Sequence, residues 1–152
     1  LLCFSKAIEL DPKSLSAYSF KAQYLYNTFK DQKKALIECE KAINLNIDDD
    51  PLILSILELR SCINNKNNNH EEELKDVNRM INLHQNFFSN DESKNRQLGQ
   101  YYVYKAIAKI AINKYDKTSM IDFNKAAELG DEYAKEVVNE YAQRVNNKLN
   151  EE

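Results

Sequence analysis

Lys6-Ala7-Ile8-Glu9-Leu10-Asp11-Pro12 is a word that this chain says again, and the repetition limits the fold more than any other feature. It returns as Lys41-Ala42-Ile43-Asn44-Leu45-Asn46, as Arg79-Met80-Ile81-Asn82-Leu83-His84 and as Lys125-Ala126-Ala127-Glu128-Leu129-Gly130. A basic residue, a small or apolar one, an apolar one, a polar one and then an apolar Leu recur at steps of 35, 38 and 46 residues. Self-similarity at such a period marks supersecondary units that cannot cover their own apolar faces and must stack on neighbours. Only two Gly and two Pro occur in 152 residues, and the segments between turns are good helix formers. The fold class is therefore all-α, in a single domain.

The chain opens on a partial repeat, residues 1–12, whose helix carries an apolar stripe of Phe4, Ala7, Ile8 and Leu10, a face that wants upstream repeats or a second molecule, and stops at Asp11-Pro12, because Pro disfavours helix in the residue before it. The first full repeat spans about 14–47. Ser14 caps a helix to about Thr28 that buries Tyr18, Ala22, Leu25 and Phe29, and Asp31 caps a partner that buries Ala35, Cys39 and Ala42. The next, about 50–85, starts at Asp50-Pro51 and carries Leu52, Ile53, Leu54, Ile56, Leu57 and Leu59 to about Ile63. A polar turn over Asn64–Asn69 leads to a helix capped by Asn69 and Glu72, burying Leu74, Val77, Met80 and Ile81 as far as Leu83. A link over 84–92 tucks Phe87 and Phe88 under the array. The last repeat, about 93–130, has a long first helix to Asn113 and a second, capped by Asp116, that buries Met120, Phe123, Ala126 and Ala127. A capping helix, 131–149, carries an apolar stripe of Tyr133, Val137, Tyr141, Val145 and Leu149. Its polar outer face is what an end helix needs to stay soluble. The absence of an initiator Met and the opening inside a repeat suggest a piece of something longer.

Composition removes several function classes. Net charge is −3, with 21 basic and 24 acidic side chains interspersed, so no basic face for nucleic acid is expected. Cys3, Cys39 and Cys62 are odd in number and unpaired in spacing, which indicates neither a disulfide framework nor a zinc knuckle. The most apolar stretch, Tyr101–Ile112, is interrupted by Lys105 and Lys109 and falls short of the roughly 20 residues of a membrane span. No signal peptide is visible, and the expected compartment is the cytoplasm.

The units resemble tetratricopeptide repeats over most of the chain. The first full repeat gives Tyr18 and Ala22, then Ala35, Cys39 and Ala42. The last gives Tyr102 and Ala106, then Ser119, Phe123 and Ala126, with the same offsets of 13 and 20 residues from the first small residue. Phe20-Lys21-Ala22 and Tyr104-Lys105-Ala106 match as words, and Phe4, Ala7 and Pro12 fit the family's closing pattern. Pro closes only the first unit, and the middle repeat has no small residue at the matching place in its first helix. Ala126-Ala127-Glu128-Leu129-Gly130-Asp131 is also similar to a Sel1-type repeat.

The resemblance implies a right-handed α-α superhelix with a C-terminal capping helix, whose first helices line a concave groove for a partner's peptide or helix. Mapped residue by residue, the groove would present Ser16, Ser19, Gln23, Tyr26 and Asn27, then Gln100, Val103, Ile107 and Ile110. In a competing reading the Tyr and Ile of this set are ordinary core between repeats. Some family members grip a terminal carboxylate with Lys, Asn and Arg. Here Ser19 and Gln23 stand at the first two places and Arg60 is the lone basic candidate, so that mode is not expected. His70 beside Glu71, Glu72 and Glu73 reads as a dipole-favoured helix start rather than a metal site. His84 reads as a helix-end or surface residue, and Cys39 and Cys62 as small hydrophobes on apolar faces. No catalytic constellation, metal site or cofactor site is expected. The chain should be a protein-binding module, with self-association or a purely structural scaffold as the alternative.

Overall fold

Polar caps and left-handed ends cut this chain into helices. The computed structural model describes residues 1–48, 50–89, 91–114 and 116–149, with side chains in the last helix as far as Arg144. Among the described residues every regular element is helical: α1 (Leu2–Leu10), α2 (Leu15–Asn27), α3 (Gln32–Ile43), α4 (Leu52–Lys66), α5 (His70–Phe87), α6 (Asn95–Ile112), α7 (Ser119–Glu128) and α8 (Glu132–Leu149), with a 3-10 turn at Glu92–Lys94. The all-α expectation holds. The chain divides within α5 into two compact units, Leu1–Asp76 and Val77–Glu152.

Four of the eight described α-helices each start on one acceptor side chain. Ser14 Oγ accepts from the Ala17 N–H, Asp31 from Lys34, Asp50 from Leu52 and Asp131 from Ala134. Each satisfies a donor that the first helical turn leaves without a partner. α1 ends before Asp11-Pro12 as expected, and later ends use left-handed backbone instead. Asn68 and Gly130 sit at φ of 59° and 92°, and in each case the following N–H closes back on the helix, Asn69 to Asn64 O at 2.8 Å and Asp131 to Ala126 O at 3.0 Å. Gly and Asn are the residues that enter this region most readily. Asn46, at φ 53°, follows α3, and its own N–H bonds Ile43 O at 3.1 Å. A chain poor in Gly thus makes its turns partly with Asn.

In the first unit α2 packs on α1, α3 and α4. The α2–α3 seam is built from small side chains: Ala22, Ala35, Cys39 and Ala42 are all buried. Leu25, Ala35 and Ile63 form a cluster that Tyr26, Leu36 and Leu59 cover. In the second unit α7 lies between α6 and α8. Val103, Ala106, Phe123, Ala126 and Ala134 make its core, with Tyr102, Met120, Val137 and Val138 packed around them. Gly99 lets α6 approach the end of α7, since a Cβ there would meet Ala126 O at 3.3 Å and Leu129 Cβ at 3.4 Å.

Several expectations are corrected. Phe29 lies beyond the end of α2 and is exposed, and Leu52 and Cys62 are exposed as well. The Asn-rich turn shrinks to 67–69, because α4 runs on to Lys66 with Asn64 buried inside it. α5 continues to Phe87, which keeps His84 in its last turn, as expected of a helix-end residue, but not on the surface. It is buried, its ring 4.9 Å from Phe88 and 5.7 Å from Tyr101. At the start of α5 the residue turned inward is Glu73, which accepts from Asn65 Nδ2 at 2.9 Å and meets His70 Nδ1 at 2.8 Å. Glu72 instead faces solvent beside Lys75. α7 starts at Ser119, after Asp116 has bonded the Thr118 amide and hydroxyl. On α8 the buried seam is Ala134 with half-buried Val137 and Val138, while Tyr133 and Tyr141 are exposed. The expected Val145 and Leu149 lie outside the residues whose side chains are described.

Candidate binding surface

The three helix pairs α2–α3, α4–α5 and α6–α7 each hold one buried carboxylate against a cation from the first helix, and Glu38 and Asp122 each meet a second lysine. Lys21 on α2 reaches Glu38 on α3 at 3.2 Å, and Lys41 meets the same oxygen at 3.0 Å. Arg60 on α4 grips Asp76 on α5 through one edge of its guanidinium, with Nε donating to Oδ2 at 2.9 Å and Nη2 to Oδ1. Lys109 and Lys105 on α6 reach Asp122 on α7 at 2.5 and 3.6 Å. Burial works against the Arg60 charge, but the hydrogen-bonded Asp76 carboxylate more than offsets it and holds the guanidinium above its ordinary pKa. These pairs tie the two helices of each hairpin together. They also remove Arg60 from any groove, since it is turned into its own helix pair.

Burial defines the neighbouring thiol. Desolvation pushes Cys39 up to about 12, so it remains a neutral, inert side chain. Asp116 is held below the carboxylate range by the Thr118 hydroxyl and amide. Among the described residues no group of three or more His, Cys, Asp or Glu is arranged to hold a metal. No helix described here is long and apolar enough to cross a membrane.

The expected groove residues fall in separate units. On α2, Ser16 is half-buried beside Ser14, with the hydroxyls 3.1 Å apart. Ser19 is buried and accepts from Gln23 Nε2 at 3.3 Å. Tyr26 is half-buried, its hydroxyl accepting from Lys66 Nζ and lying 3.5 Å from Cys62 Sγ, and Asn27 is exposed. On α6, Gln100, Ile107 and Ile110 are exposed, whereas Val103 is 7% exposed and belongs to the core. Gln23, Tyr26 and Asn27 thus share the C-terminal half of α2, and Gln100, Ile107 and Ile110 follow α6.

A second surface was not anticipated. Phe20, Tyr24 and Phe29 are exposed along the first unit, with Tyr24 in ring contact with Phe29 at 5.6 Å and with Phe4 at 5.9 Å. Phe20 and Tyr24 are four residues apart and lie off the Tyr18–Ala22–Leu25 stripe. That double stripe was the available signal, since a helix with apolar residues on two faces has one face more than its own hairpin needs. A shallow hollow of about 140 Å³ opens beside α2, lined by Tyr26, Lys30, Gln32 and Lys66. The second unit has a wider one of about 360 Å³, lined by Tyr102, Ile121, Asp122, Asn124, Lys125 and Glu128. Comparison with protein-family models, curated proteins and solved structures finds no match to this chain.

Proposed function

We propose that this chain is a degenerate tetratricopeptide-like repeat protein that binds another protein, as a peptide or a helix, and performs no catalysis. The observation that carries this reading is the aromatic row Phe20, Tyr24 and Phe29, with Phe20 55% and Phe29 56% exposed. Exposed aromatic clusters of this kind mark interaction surfaces on otherwise polar helices. The Tyr24 ring is braced by Phe4 and Phe29, so little of its freedom remains to be lost on binding. The amides of Gln23 and Asn27, which follow the same helix, suit the backbone of an extended peptide.

The test is peptide display against the parent protein, repeated with Phe20→Asp, Tyr24→Ala and Asn27→Ala, each checked for helix content by circular dichroism. Enrichment of one apolar motif on the parent, lost on the folded variants, supports the reading. Equal enrichment on parent and variants sinks it for this face.

Self-association is a second reading, and it has its own observation. Leu10 is 88% exposed on α1, an apolar surface that a second copy could cover. Sedimentation equilibrium separates the two, because a mass that stays monomeric across concentrations eliminates self-association.

A further inference from the structure

We propose that the hollow lined by Tyr26, Lys30, Gln32 and Lys66 is a binding site for a phosphate group. It lies in the first unit, where the end of α2, the turn into α3 and the last residue of α4 converge. The site does not depend on the protein-binding reading.

Charge is the first argument. Lys66 donates to the Tyr26 hydroxyl and stands 4.9 Å over the Tyr26 ring, and its ammonium is held above the ordinary lysine pKa chiefly by that hydrogen bond. Its partner is a neutral phenol. Several lysines elsewhere in the chain face carboxylates: Lys21 and Lys41 meet Glu38, Lys75 meets Glu72, and Lys105 and Lys109 meet Asp122. Among the described residues neither Lys30 nor Lys66 forms an ion pair, and both line one hollow. The nearby acid, Asp31, is turned away to cap Lys34, with its amide at 3.0 Å and its ammonium at 3.0 Å. Two unmatched ammonium groups balance a phosphate monoester, which carries about −1.5 to −2 at neutral pH, better than a single carboxylate.

Shape and preorganisation add to this. The Tyr26 ring packs against the Leu25–Ala35–Ile63 cluster, so its hydroxyl is fixed by the core rather than by solvent. Gln32, the first residue of α3, brings an amide donor to the hollow. A hollow of about 140 Å³ is several times the share of one water, about 30 Å³, and so holds a tetrahedral oxyanion. Lys30 is held at φ 55°, a conformation that disfavours side chains other than Gly and Asn. A glycine would make that turn more cheaply, so the ammonium stands at a position where the backbone alone argues against it.

The experiment is a titration of the 15N-labelled protein with inorganic phosphate, O-phosphoserine amide and acetate at matched ionic strength, followed by amide NMR. The expected result is saturable shifts at Gln32 and Lys66, with phosphate bound about tenfold more tightly than acetate. Lys66→Met and Lys30→Gly should each weaken phosphate about tenfold. Lys30→Gly keeps the fold, since glycine takes φ 55° freely, so loss of binding there cannot come from unfolding. A phosphoserine amide that outcompetes inorganic phosphate places the group on a macromolecule, whereas equal affinity points to the free ion. Both results support the site. Phosphate shifts that are absent, equal to those of acetate, or unchanged in both variants would overturn it.

Discussion

The α2–α3 and α6–α7 hairpins carry the same charges in the same places and fill the space between them differently. The offset is 84 residues throughout, from Lys21 to Lys105, Glu38 to Asp122, Ala22 to Ala106 and Ala42 to Ala126. Yet Cys39 faces Phe123, Leu15 faces Gly99 and Leu25 faces Lys109 in that alignment. Leu25 is core in the first unit, while Lys109 reaches Thr118 and Asp122 in the second. Apolar volume is thus negotiable, provided that a change at one position is absorbed nearby. The cross-helix ion pair is what the two hairpins keep in common, although the charge on the second has two lysines from one helix.

The sharpest way to break the comparison is to empty the large seat. Phe123→Ala should cost the second unit about 3–5 kcal/mol, against about 1 kcal/mol for Cys39→Ala in the first, read from urea melts. Equal costs would mean that the two positions do not play the same packing role. Arg60→Met removes the partner of a buried carboxylate and should cost about 3 kcal/mol. The double variant Arg60→Met with Asp76→Leu should recover most of that loss, and a single variant as stable as the parent would deny the pair any part in tying α4 to α5. Gly99→Leu places the first unit's residue where α7 approaches closely, and about 1–3 kcal/mol of overpacking is expected. Hydrogen exchange resolved by helix should show that loss in α6 and α7 but not in α2 and α3.

A last effect is confined to alkali and is a pH dependence. Cys39 is raised from 9.0 to about 12 in the folded protein, so its burial stabilises fully below pH 9. That contribution falls as pH rises through the window from 9 to about 12, because only the unfolded chain releases the proton. The slope is at most about 1.4 kcal/mol per pH unit. A melt series on the parent and Cys39→Ala should diverge above pH 9, and parallel curves would reject it.

Helix starts were legible because a cap is local: Ser14, Asp31 and Asp131 each bond a residue three positions away. Helix ends were less so. Asn82, His84, Gln85 and Asn86 made the end of α5 look like a link, although Val77, Met80, Ile81 and His84 continue one buried stripe. Phe29 was assigned by helical spacing to a helix that had already ended at Asn27. On α8, counting in fours drifted off the true 3.6-residue period and selected Tyr133 over Ala134. The candidate groove was legible only as a set of helix positions, and Val103 among them belongs to the core. The hollow at Tyr26 depends on Lys66, forty residues away, and no local pattern could join them. Lys21 and Lys105 were visible inside matching words, but their carboxylate partners were not.

A hairpin that keeps its cross-helix charge pair can exchange its apolar letters where a change at one position is absorbed by another nearby. Drift would then erase the pattern of small and aromatic residues first and leave the ion pair until later. Kinship between such repeats is better sought in the interval from a first-helix cation to a second-helix carboxylate, as from Lys21 to Glu38 and from Lys105 to Asp122, than in the identity of the residues packed around them.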